Sequence, residues 1–461
     1  MKFRRIMIAA PKSGSGKTMI TCALLQAFKD AGQSMVSYKC GPDYIDPMFH
    51  QKVLGIPSKN LDTFFTGEEE TKRLFLRNRK EGEFAILEGV MGLFDGLSGI
   101  REEGSSYHLA KIIKTPIILV VDAKGMGRSV IPLLAGFLAY DKEKLIKGVI
   151  LNRITPSYYG TLKPFIEEEL PVRVLGYFPE YRQFSIESRH LGLMLPNELD
   201  NVKERLQKAS EEIQKSVSME QLMQIAELSE ELSDEQTEAD REKVLYKGES
   251  RPVIAVARDE AFCFYYEDNL RLLEEKGAKL ESFSPIHDEA LPDKCCGILL
   301  GGGYPELYAE ELSQNADMLR AIRAAAESDM PMVAECGGFM YLHSVMETKE
   351  KKQYAMVGAV DAKCSDTGKS VRFGYIELEE KKSSFLPEGE RIRGHEFHYF
   401  DSEDNGSGFV AQKPVTGRSY PCMITGENRC LGFPHLYYPS NPAFAENFVK
   451  KAGKYKERKG W

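Results

Sequence analysis

Short apolar runs alternate with amphipathic stretches through the first half of the chain. The runs are rich in β-branched residues, and their alternation with helical patterns indicates parallel strands that helices cover on both faces. They span residues 6–10, 35–38, 84–87, 117–121 and 147–151. We therefore predict an α/β domain of three layers with a mostly parallel sheet over residues 1–197.

A similar pattern returns in the second half of the chain. Apolar runs at 252–257, 297–300 and 331–334 predict strands, and residues 262–276 have a helical pattern. This predicts a second three-layer α/β domain, again with a mostly parallel sheet, over residues 248–461.

The segment between the two domains, residues 198–247, has a different character. It is acidic and holds no aromatic residue until Tyr246. A narrow apolar stripe predicts one or two exposed helices. The stripe consists of Leu206, Ile213, Leu222, Ile225 and Leu232. We interpret the segment as an acidic helical linker, with a partner-binding helix as the alternative.

Composition narrows the class of protein. The 461 residues are 42% hydrophobic and 28% charged, which is typical of a globular enzyme with about two to four domains. The net charge of -8, with no compensating basic stripe, argues against a nucleic-acid partner. No apolar run is long enough to cross a bilayer, and the start of the chain lacks the pattern of a secretion signal. Nine cysteines without a C-x-x-C pair disfavour a disulfide framework and indicate a cytoplasmic setting.

The strongest chemical signal is the segment 11–18, which lies between an apolar run and an amphipathic helical pattern. Gly14 and Gly16 allow a tight turn whose backbone N–H groups converge on one anion at a helix N-terminus. Lys17 can reach the outer phosphates of a nucleotide, and the Thr18 hydroxyl can bind Mg2+. The segment predicts a phosphate-binding loop, with a turn bearing surface lysines as the alternative.

This loop departs from the usual pattern. Pro11 stands where a glycine is usual, six residues before Lys17. Lys12 lies five residues before Lys17, a spacing found in a deviant subgroup of P-loop proteins. One lysine is weak support for membership of that subgroup.

Acidic residues follow two of the predicted strands, where parallel sheets collect functional groups. Asp43 and Asp46 follow the second run and could hold a metal, with backbone capping as the alternative. Glu88 ends the third run, in the position that suits a Mg2+ carboxylate. Asp95 lies on the glycine-rich loop that follows, where an ordinary loop carboxylate is the alternative.

Basic residues follow the next two runs. Lys124 and Arg128 can face a phosphate or a carboxylate. The pair Asn152-Arg153 ends the fifth run, a position where P-loop folds often recognise the base, with a solvated surface pair as the alternative.

In the second half, Cys336 follows a predicted strand at once and precedes two glycines. A sharp strand-to-helix turn exposes a side chain, and the helix dipole with the Gly337 N–H would stabilise a thiolate, so we predict a nucleophile. Gly302 and Gly303 belong to a glycine run at another strand end, and with Gly337 they supply the backbone N–H groups of an oxyanion hole. The alternative for Cys336 is an inert buried cysteine.

A thiol nucleophile needs a base. His435, after an apolar stretch near the chain end, is the leading candidate. His395, Glu396 and His398 form the other cluster, for which substrate contacts fit better than a metal site.

Taken together, these segments resemble the cobyrinate a,c-diamide synthase family, from about residue 4 to residue 448. The segments that carry the resemblance are 41–47, 88–96, 301–306, 335–338 and 394–398. The first domain resembles the dethiobiotin synthetase type of P-loop domain, and the second resembles class I glutamine amidotransferases. The resemblance implies that ATP activates carboxylates of a tetrapyrrole as acyl phosphates, and that ammonia from glutamine converts them to amides.

The resemblance also implies roles for individual residues. Gly14, Gly16, Lys17 and Thr18 would bind ATP, and Thr18, Asp46 and Glu88 would hold Mg2+. Asp43, Asp95, Tyr44 and Ile45 would handle the carboxylate being activated, with the two aspartates in catalysis and the other two binding substrate. Cys336 would attack glutamine, with His435 as proton shuttle.

Three points stay open. Tyr437 stands where many class I amidotransferases place the glutamate that orients the histidine, so a two-residue Cys-His centre and a slower intrinsic glutaminase are expected. The macrocycle could be hydrogenobyrinate or a metal-sirohydrochlorin. From a different class, a partitioning or switch ATPase with a degenerate amidotransferase domain is the alternative.

The expected partners are small molecules, with a homodimer as a further possibility and no membrane or nucleic acid.

Overall fold

The structure is a computed structural model that describes residues 3–180, 196–232 and 245–461. The chain divides into two compact units, Met1–Glu235 and Gln236–Trp461. Among the described residues, no helix combines the length and apolar character that crossing a bilayer requires.

The first unit is built on a seven-stranded parallel sheet of order β3-β2-β4-β1-β5-β6-β7. The strands are β1 (Arg4–Ala9), β2 (Met35–Cys40), β3 (Ser58–Leu61), β4 (Phe84–Glu88), β5 (Ile117–Asp122), β6 (Ile146–Asn152) and β7 (Arg173–Phe178). The helices are α1 (Lys17–Asp30), α2 (Ile45–Lys52), α3 (Thr63–Arg77), α4 (Ser106–Ile112), α5 (Val130–Tyr140), α6 (Pro156–Glu169), α7 (Pro196–Ser216) and α8 (Met219–Ala226). Each apolar run that predicted a strand forms one here, because these side chains are buried in the sheet.

Helices α7 and α8 correct the interpretation of residues 198–247 as a linker of exposed helices. Leu206, Ile213, Leu222 and Ile225 are buried in the core of the first unit, where α7 packs on α1 and α8 on β1. Each such side chain contributes roughly 1.5–3 kcal/mol when fully buried. The narrow apolar stripe is thus a packing surface, and the first unit extends beyond residue 197. Residues 233–244 of the predicted linker lie outside the described residues.

The second unit has a central six-stranded sheet of order β10-β8-β11-β13-β23-β22, parallel except for its edge pair β22–β23. Its strands are β8 (Val253–Ala257), β10 (Lys279–Phe283), β11 (Cys295–Leu300), β13 (Met332–Glu335), β22 (Ile424–Gly426) and β23 (Arg429–Gly432). The helices of the unit are α9 (Glu267–Glu275), α10 (Ala309–Gln314), α11 (Ala316–Glu327), α12 (Gly337–Leu342) and α13 (Ala443–Lys459).

Smaller sheets flank this core. A short antiparallel pair joins β9 (Phe262–Phe264) to β12 (Gly302–Gly303). A four-stranded sheet holds β14 (His343–Glu347), β15 (Gln353–Ala355), β16 (Val360–Asp366) and β19 (Phe400–Ser402). A five-stranded antiparallel sheet holds β17 (Arg372–Glu380), β18 (Arg391–His398), β20 (Phe409–Gln412), β21 (Ser419–Cys422) and β24 (His435–Leu436). The helical pattern at 262–276 is therefore only partly right, since its first residues form β9.

Candidate active sites

The phosphate loop connects β1 to α1 and contains two left-handed glycines. Gly14 and Gly16 have φ of 75° and 91°, a region that side chains other than glycine rarely adopt. A Cβ atom at Gly16 would stand 2.2 Å from Nδ2 of Asn152, which donates a 2.8 Å hydrogen bond to the Ser15 carbonyl. The end of β6 thus braces the loop, and both glycines are required by its geometry.

Lys17 is buried at the first turn of α1. Its ammonium group donates to the Met91 carbonyl on the loop that follows β4. Burial, with the neighbouring charge of Lys39, lowers the pKa of Lys17 to about 8. The side chain is therefore held between its own loop and the loop after β4.

A buried cluster of charges lies next to Lys17. The Thr18 hydroxyl donates to Oε1 of Glu88 at 2.5 Å, and the Lys39 ammonium group lies 2.8 Å from the same oxygen. Lys39 also pairs with Asp46, and the neighbouring carboxylates hold its pKa well above the ordinary value although burial opposes this. Sequence reasoning placed Thr18, Asp46 and Glu88 together but did not single out Lys39, whose charge inside a buried strand was the available signal.

The donor set of this cluster fits Mg2+. A hydroxyl and two carboxylates are hard oxygen ligands, and Oε2 of Glu88 is buried without a hydrogen-bond partner among the described residues. Nε2 of His50, which sequence reasoning missed, lies 3.8 Å from that oxygen. Burial, together with the charge of Asp46, raises the pKa of Glu88 to about 7. The cluster therefore holds one unsatisfied buried oxygen beside the phosphate loop.

The other predicted residues of this unit lie close by but have local hydrogen-bond partners. Oδ1 of Asp43 accepts from the N–H groups of Ile45, at 2.8 Å, and of Asp46, at 3.2 Å, so it caps the start of α2. Oδ2 of Asp95 accepts from the Gly92 N–H at 2.9 Å and closes the loop after β4. Tyr44 is buried, and Ile45 packs against the core of the unit.

The basic residues after β5 and β6 have carboxylate partners. Arg153 pairs with Asp122 and donates to the Gly14 carbonyl at 3.1 Å, which places it against the phosphate loop. Lys124 pairs with Glu180, and Arg128 with Glu169, and all four of these side chains are well exposed.

The second candidate site, in the second unit, centres on Cys336. This residue joins β13 to α12 with φ 47° and ψ -105°, a strained conformation for a residue with a Cβ atom. Its N–H donates a 2.8 Å hydrogen bond to the Gly432 carbonyl, which fixes the turn to β23. Burial raises the pKa of the Cys336 thiol to about 12, and the charge of Glu306 adds to the effect. This direction opposes the stabilisation of a thiolate that was expected from the helix dipole, and the helix that begins at Gly337 has only six residues.

The predicted oxyanion-hole glycines lie against one another. A Cβ atom at Gly337 would stand 3.1 Å from the Gly303 nitrogen, and one at Gly302 would stand 2.5 Å from Cε1 of His435. The Gly337 N–H also donates to Cys336. The glycine segment of β12 thus lies between the turn that carries the thiol and the ring of His435, with no room for a side chain.

His435 is buried on β24 and stacks on His395 of β18, with ring centroids 4.9 Å apart. Burial lowers the pKa of His435 to about 3, so the imidazole is neutral. Its Nδ1 lies 3.9 Å from Oε2 of Glu335, the residue before the thiol. Sequence reasoning gave no role to Glu335.

The residues of the 394–398 segment have protein partners. Nδ1 of His395 lies 3.1 Å from the Tyr266 hydroxyl, and Nδ1 of His398 lies 2.6 Å from the Phe400 carbonyl. Glu396 is buried and accepts from the Tyr420 hydroxyl. Across the described ranges, no group of three or more His, Cys, Asp and Glu side chains is arranged to hold a metal ion.

Comparisons with known proteins match a different domain family in each half of the chain. Residues 6–193 match the family described as CobQ/CobB/MinD/ParA nucleotide binding domain, and residues 253–417 match the CobB/CobQ-like glutamine amidotransferase domain. Cobyrinate a,c-diamide synthase of Caldanaerobacter subterraneus subsp. tengcongensis is 39% identical over 437 residues, which cover 94% of this chain and 95% of that protein. The enzymes of that name from Clostridium tetani and Listeria innocua are 37% and 40% identical, over 97% and 95% of this chain and 100% and 97% of theirs. The chain belongs to the cobyrinate a,c-diamide synthase family.

Proposed function

We propose that the chain amidates the a and c acetate carboxylates of cobyrinate, with its first unit activating each carboxylate and its second unit supplying ammonia. The observation that carries the proposal is the presence of a phosphate loop beside a buried Thr18–Glu88–Asp46 cluster in one unit and a strained cysteine beside oxyanion-hole glycines in the other. A carboxylate is a poor electrophile, so amidation needs a better leaving group than hydroxide. Phosphate from ATP is that group.

In the first unit, the loop N–H groups and Lys17 bind the phosphates of ATP. Thr18, Asp46 and Glu88 are the residues that would hold Mg2+, which supplies charge neutralisation at the transferred phosphoryl group when bound. A substrate carboxylate oxygen attacks the γ-phosphorus and ADP leaves, which gives an acyl phosphate. Asp43 and Asp95 shape the two loops around this point through the backbone N–H groups that they bind, and Tyr44 and Ile45 are the neighbouring substrate-binding candidates.

In the second unit, Cys336 loses its proton to His435 as its sulfur attacks the amide carbon of glutamine. The N–H groups of Gly302, Gly303 and Gly337 stabilise the oxyanion that forms. His435 returns the proton to the leaving ammonia, and water then hydrolyses the thioester to glutamate. Ammonia attacks the acyl phosphate and releases inorganic phosphate, so each amide consumes one ATP and one glutamine.

The acyl phosphate can be tested by following oxygen. Cobyrinate labelled with 18O in its carboxylates is incubated with enzyme, ATP and glutamine, and the released phosphate is analysed by mass spectrometry. One labelled oxygen in phosphate for each amide formed is expected, because the carboxylate oxygen leaves with the phosphoryl group. Unlabelled phosphate would contradict the mechanism. Running hydrogenobyrinate and metal-sirohydrochlorins alongside, scored by mass gain, identifies the preferred macrocycle.

Three further expectations stay predictions. We place the enzyme in the cytoplasm, where the reduced state of its nine cysteines would be maintained. We expect small-molecule partners and no nucleic acid, in line with the net charge of -8. A homodimer is a prediction that light scattering of the purified protein would test.

A further inference from the structure

His435 lacks the orienting glutamate that many class I amidotransferases place two residues later. Tyr437 occupies that position, and its hydroxyl donates to Oδ2 of Asp268 at 3.0 Å. A general base of this kind works best when its second ring nitrogen is held by a hydrogen-bond acceptor, because the acceptor fixes both the tautomer and the ring orientation. Another group near Nδ1 of His435 could take this role.

The carboxyl group of Glu335 is in the right place. Its Oε2 lies 3.9 Å from Nδ1 of His435, and its Oε1 accepts from the Tyr438 hydroxyl at 3.3 Å. The Leu436 N–H donates to the same carboxyl group. One buried carboxyl group therefore contacts three of the four residues from 435 to 438 and holds the segment that presents the histidine.

The backbone fixes Glu335 as firmly as it fixes the thiol. Glu335 is the last residue of β13 and pairs in register with Gly432 of β23. The next residue is Cys336, whose N–H bonds to the Gly432 carbonyl. The Glu335 carboxyl group thus reaches from the residue before the nucleophile to the segment that carries the base. It therefore couples the position of Cys336 to the position of His435.

We propose that Glu335 is a positioning residue for glutamine hydrolysis, which accepts a hydrogen bond from Nδ1–H of His435 and so directs Nε2 as the base toward the Cys336 thiol. This inference rests on the proposed roles of Cys336 and His435. The 3.9 Å separation is longer than a hydrogen bond, and such contacts often tighten only when substrate is bound. When the thiol proton moves to Nε2, the Nδ1–H bond to Glu335 is retained and stabilises the imidazolium.

Other polar groups around His435 are less suited to the task. His395 stacks on His435 with the rings 14° from parallel, an arrangement that cannot place a nitrogen of one ring in the plane of the other. Nδ1 of His395 faces Tyr266 instead. His398 lies close enough to oppose protonation of His435, so it does not favour the imidazolium.

The test uses Glu335→Gln and Glu335→Met in the full-length enzyme. Gln keeps the shape and one acceptor oxygen but cannot take up the negative charge that would stabilise the imidazolium, and Met offers no acceptor. We expect kcat for glutamine hydrolysis to fall by roughly 10-fold in Glu335→Gln and roughly 100-fold in Glu335→Met. The KM for glutamine should stay within about twofold and amidation with ammonium chloride should be unchanged, since a positioning residue acts on the chemical step.

A matched control removes another buried carboxyl group of the same unit. Glu380 accepts from the N–H groups of Ser384 and Leu386, and Glu380→Gln should leave the kcat of glutamine hydrolysis within about twofold of wild type. Wild-type kcat in Glu335→Gln would overturn the inference, even if Glu335→Met does not fold. An equal loss with ammonium chloride and with glutamine would also overturn it. If Cys336→Ser retained glutamine-dependent activity, the proposed function itself would fail, whatever the Glu335 variants show.

Discussion

The two candidate sites differ in the charge of their main functional groups. The site in the first unit is a cluster of ionisable groups of both signs, in which Lys39 contacts Asp46 and Glu88 close to the Lys17 ammonium group. In the second unit the thiol and the imidazole are both neutral, since burial raises the pKa of the Cys336 thiol to about 12 and lowers that of His435 to about 3. A site for phosphates and a metal ion needs charges in place before its ligands arrive.

The neutral thiol and base of the second unit depend on the substrate for their reactivity. A thiol that stays protonated reacts only when a bound substrate contacts the thiol, the base and the oxyanion N–H groups at the same time. The following predictions test this contrast, in order of expected size.

Lys17→Ala should reduce amidation by roughly 10³-fold with either nitrogen donor, because no other group described on the loop brings a buried ammonium to the phosphates. Steady-state assays with glutamine and with ammonium chloride measure the effect. Lys12→Ala is the matched variant on the same loop, where the lysine is exposed, and should change the rates by less than about threefold. A loss in Lys12→Ala as large as in Lys17→Ala would favour the deviant P-loop subgroup instead.

Lys39→Met should lower the free energy of unfolding of the first unit by about 3–5 kcal/mol, since it leaves two buried carboxylates without their cation. Thermal unfolding followed by circular dichroism measures the loss. Lys59→Met serves as control, because Lys59 pairs with a partly exposed carboxylate, Glu81, and should cost about 1 kcal/mol or less. Equal losses in the two variants would show that the charge cluster is not the source of the effect.

Gly302→Ala should reduce glutamine-dependent amidation by roughly 10- to 100-fold and leave ammonium-dependent amidation intact. The added Cβ atom would stand 2.5 Å from Cε1 of His435, so the ring or the strand must move. Gly297→Ala, in β11 just upstream, is the control, since its Cβ atom would meet neighbours at 3.4 Å or more. Retained glutamine use in Gly302→Ala would contradict the placement of His435 against the glycine segment.

The last prediction is a pH dependence of stability, and its effect per pH unit is the smallest of the series. Burial raises the pKa of Glu335 from 4.5 to about 8, so the folded protein keeps a proton that the unfolded chain releases. As the pH rises between those two pKa values, the free energy of unfolding of wild type should therefore fall relative to that of Glu335→Gln by roughly 1.4 kcal/mol per pH unit. Above the upper pKa value no further change is expected. Denaturant unfolding followed by fluorescence of Trp461, the single tryptophan, reports on the second unit. A difference that is constant with pH would contradict burial of a neutral Glu335.

Sequence reasoning performed best where a pattern has one structural solution. The apolar runs at 35–38, 84–87 and 117–121 lie in parallel strands because continuous burial suits no other element as well. The prediction of exposed helices at 198–247 failed because a narrow stripe does not reveal which surface it meets, and α7 and α8 pack on the first unit. The antiparallel sheets were not predicted, since short half-exposed strands resemble loops in sequence.

In the candidate sites, too, some features could be predicted from local sequence patterns and others could not. The glycine at position 16 could be predicted because the tight turn demands it, and the sharp strand-to-helix turn at Cys336 could be predicted from the glycines that follow it. Lys39, His50 and Glu335 were missed because their importance depends on contacts between residues far apart in sequence or on which face of a strand they occupy. The burial that raises the pKa of the Cys336 thiol was also not predicted, since a local motif does not show burial.

The most direct test of the central claim, that the two units perform separable chemistry, is amidation by Cys336→Ser with each nitrogen donor. We expect glutamine-dependent amidation to be lost and ammonium-dependent amidation, with its ATP consumption, to stay within about twofold of wild type. Loss of both activities, or survival of glutamine use without the thiol, would contradict the account.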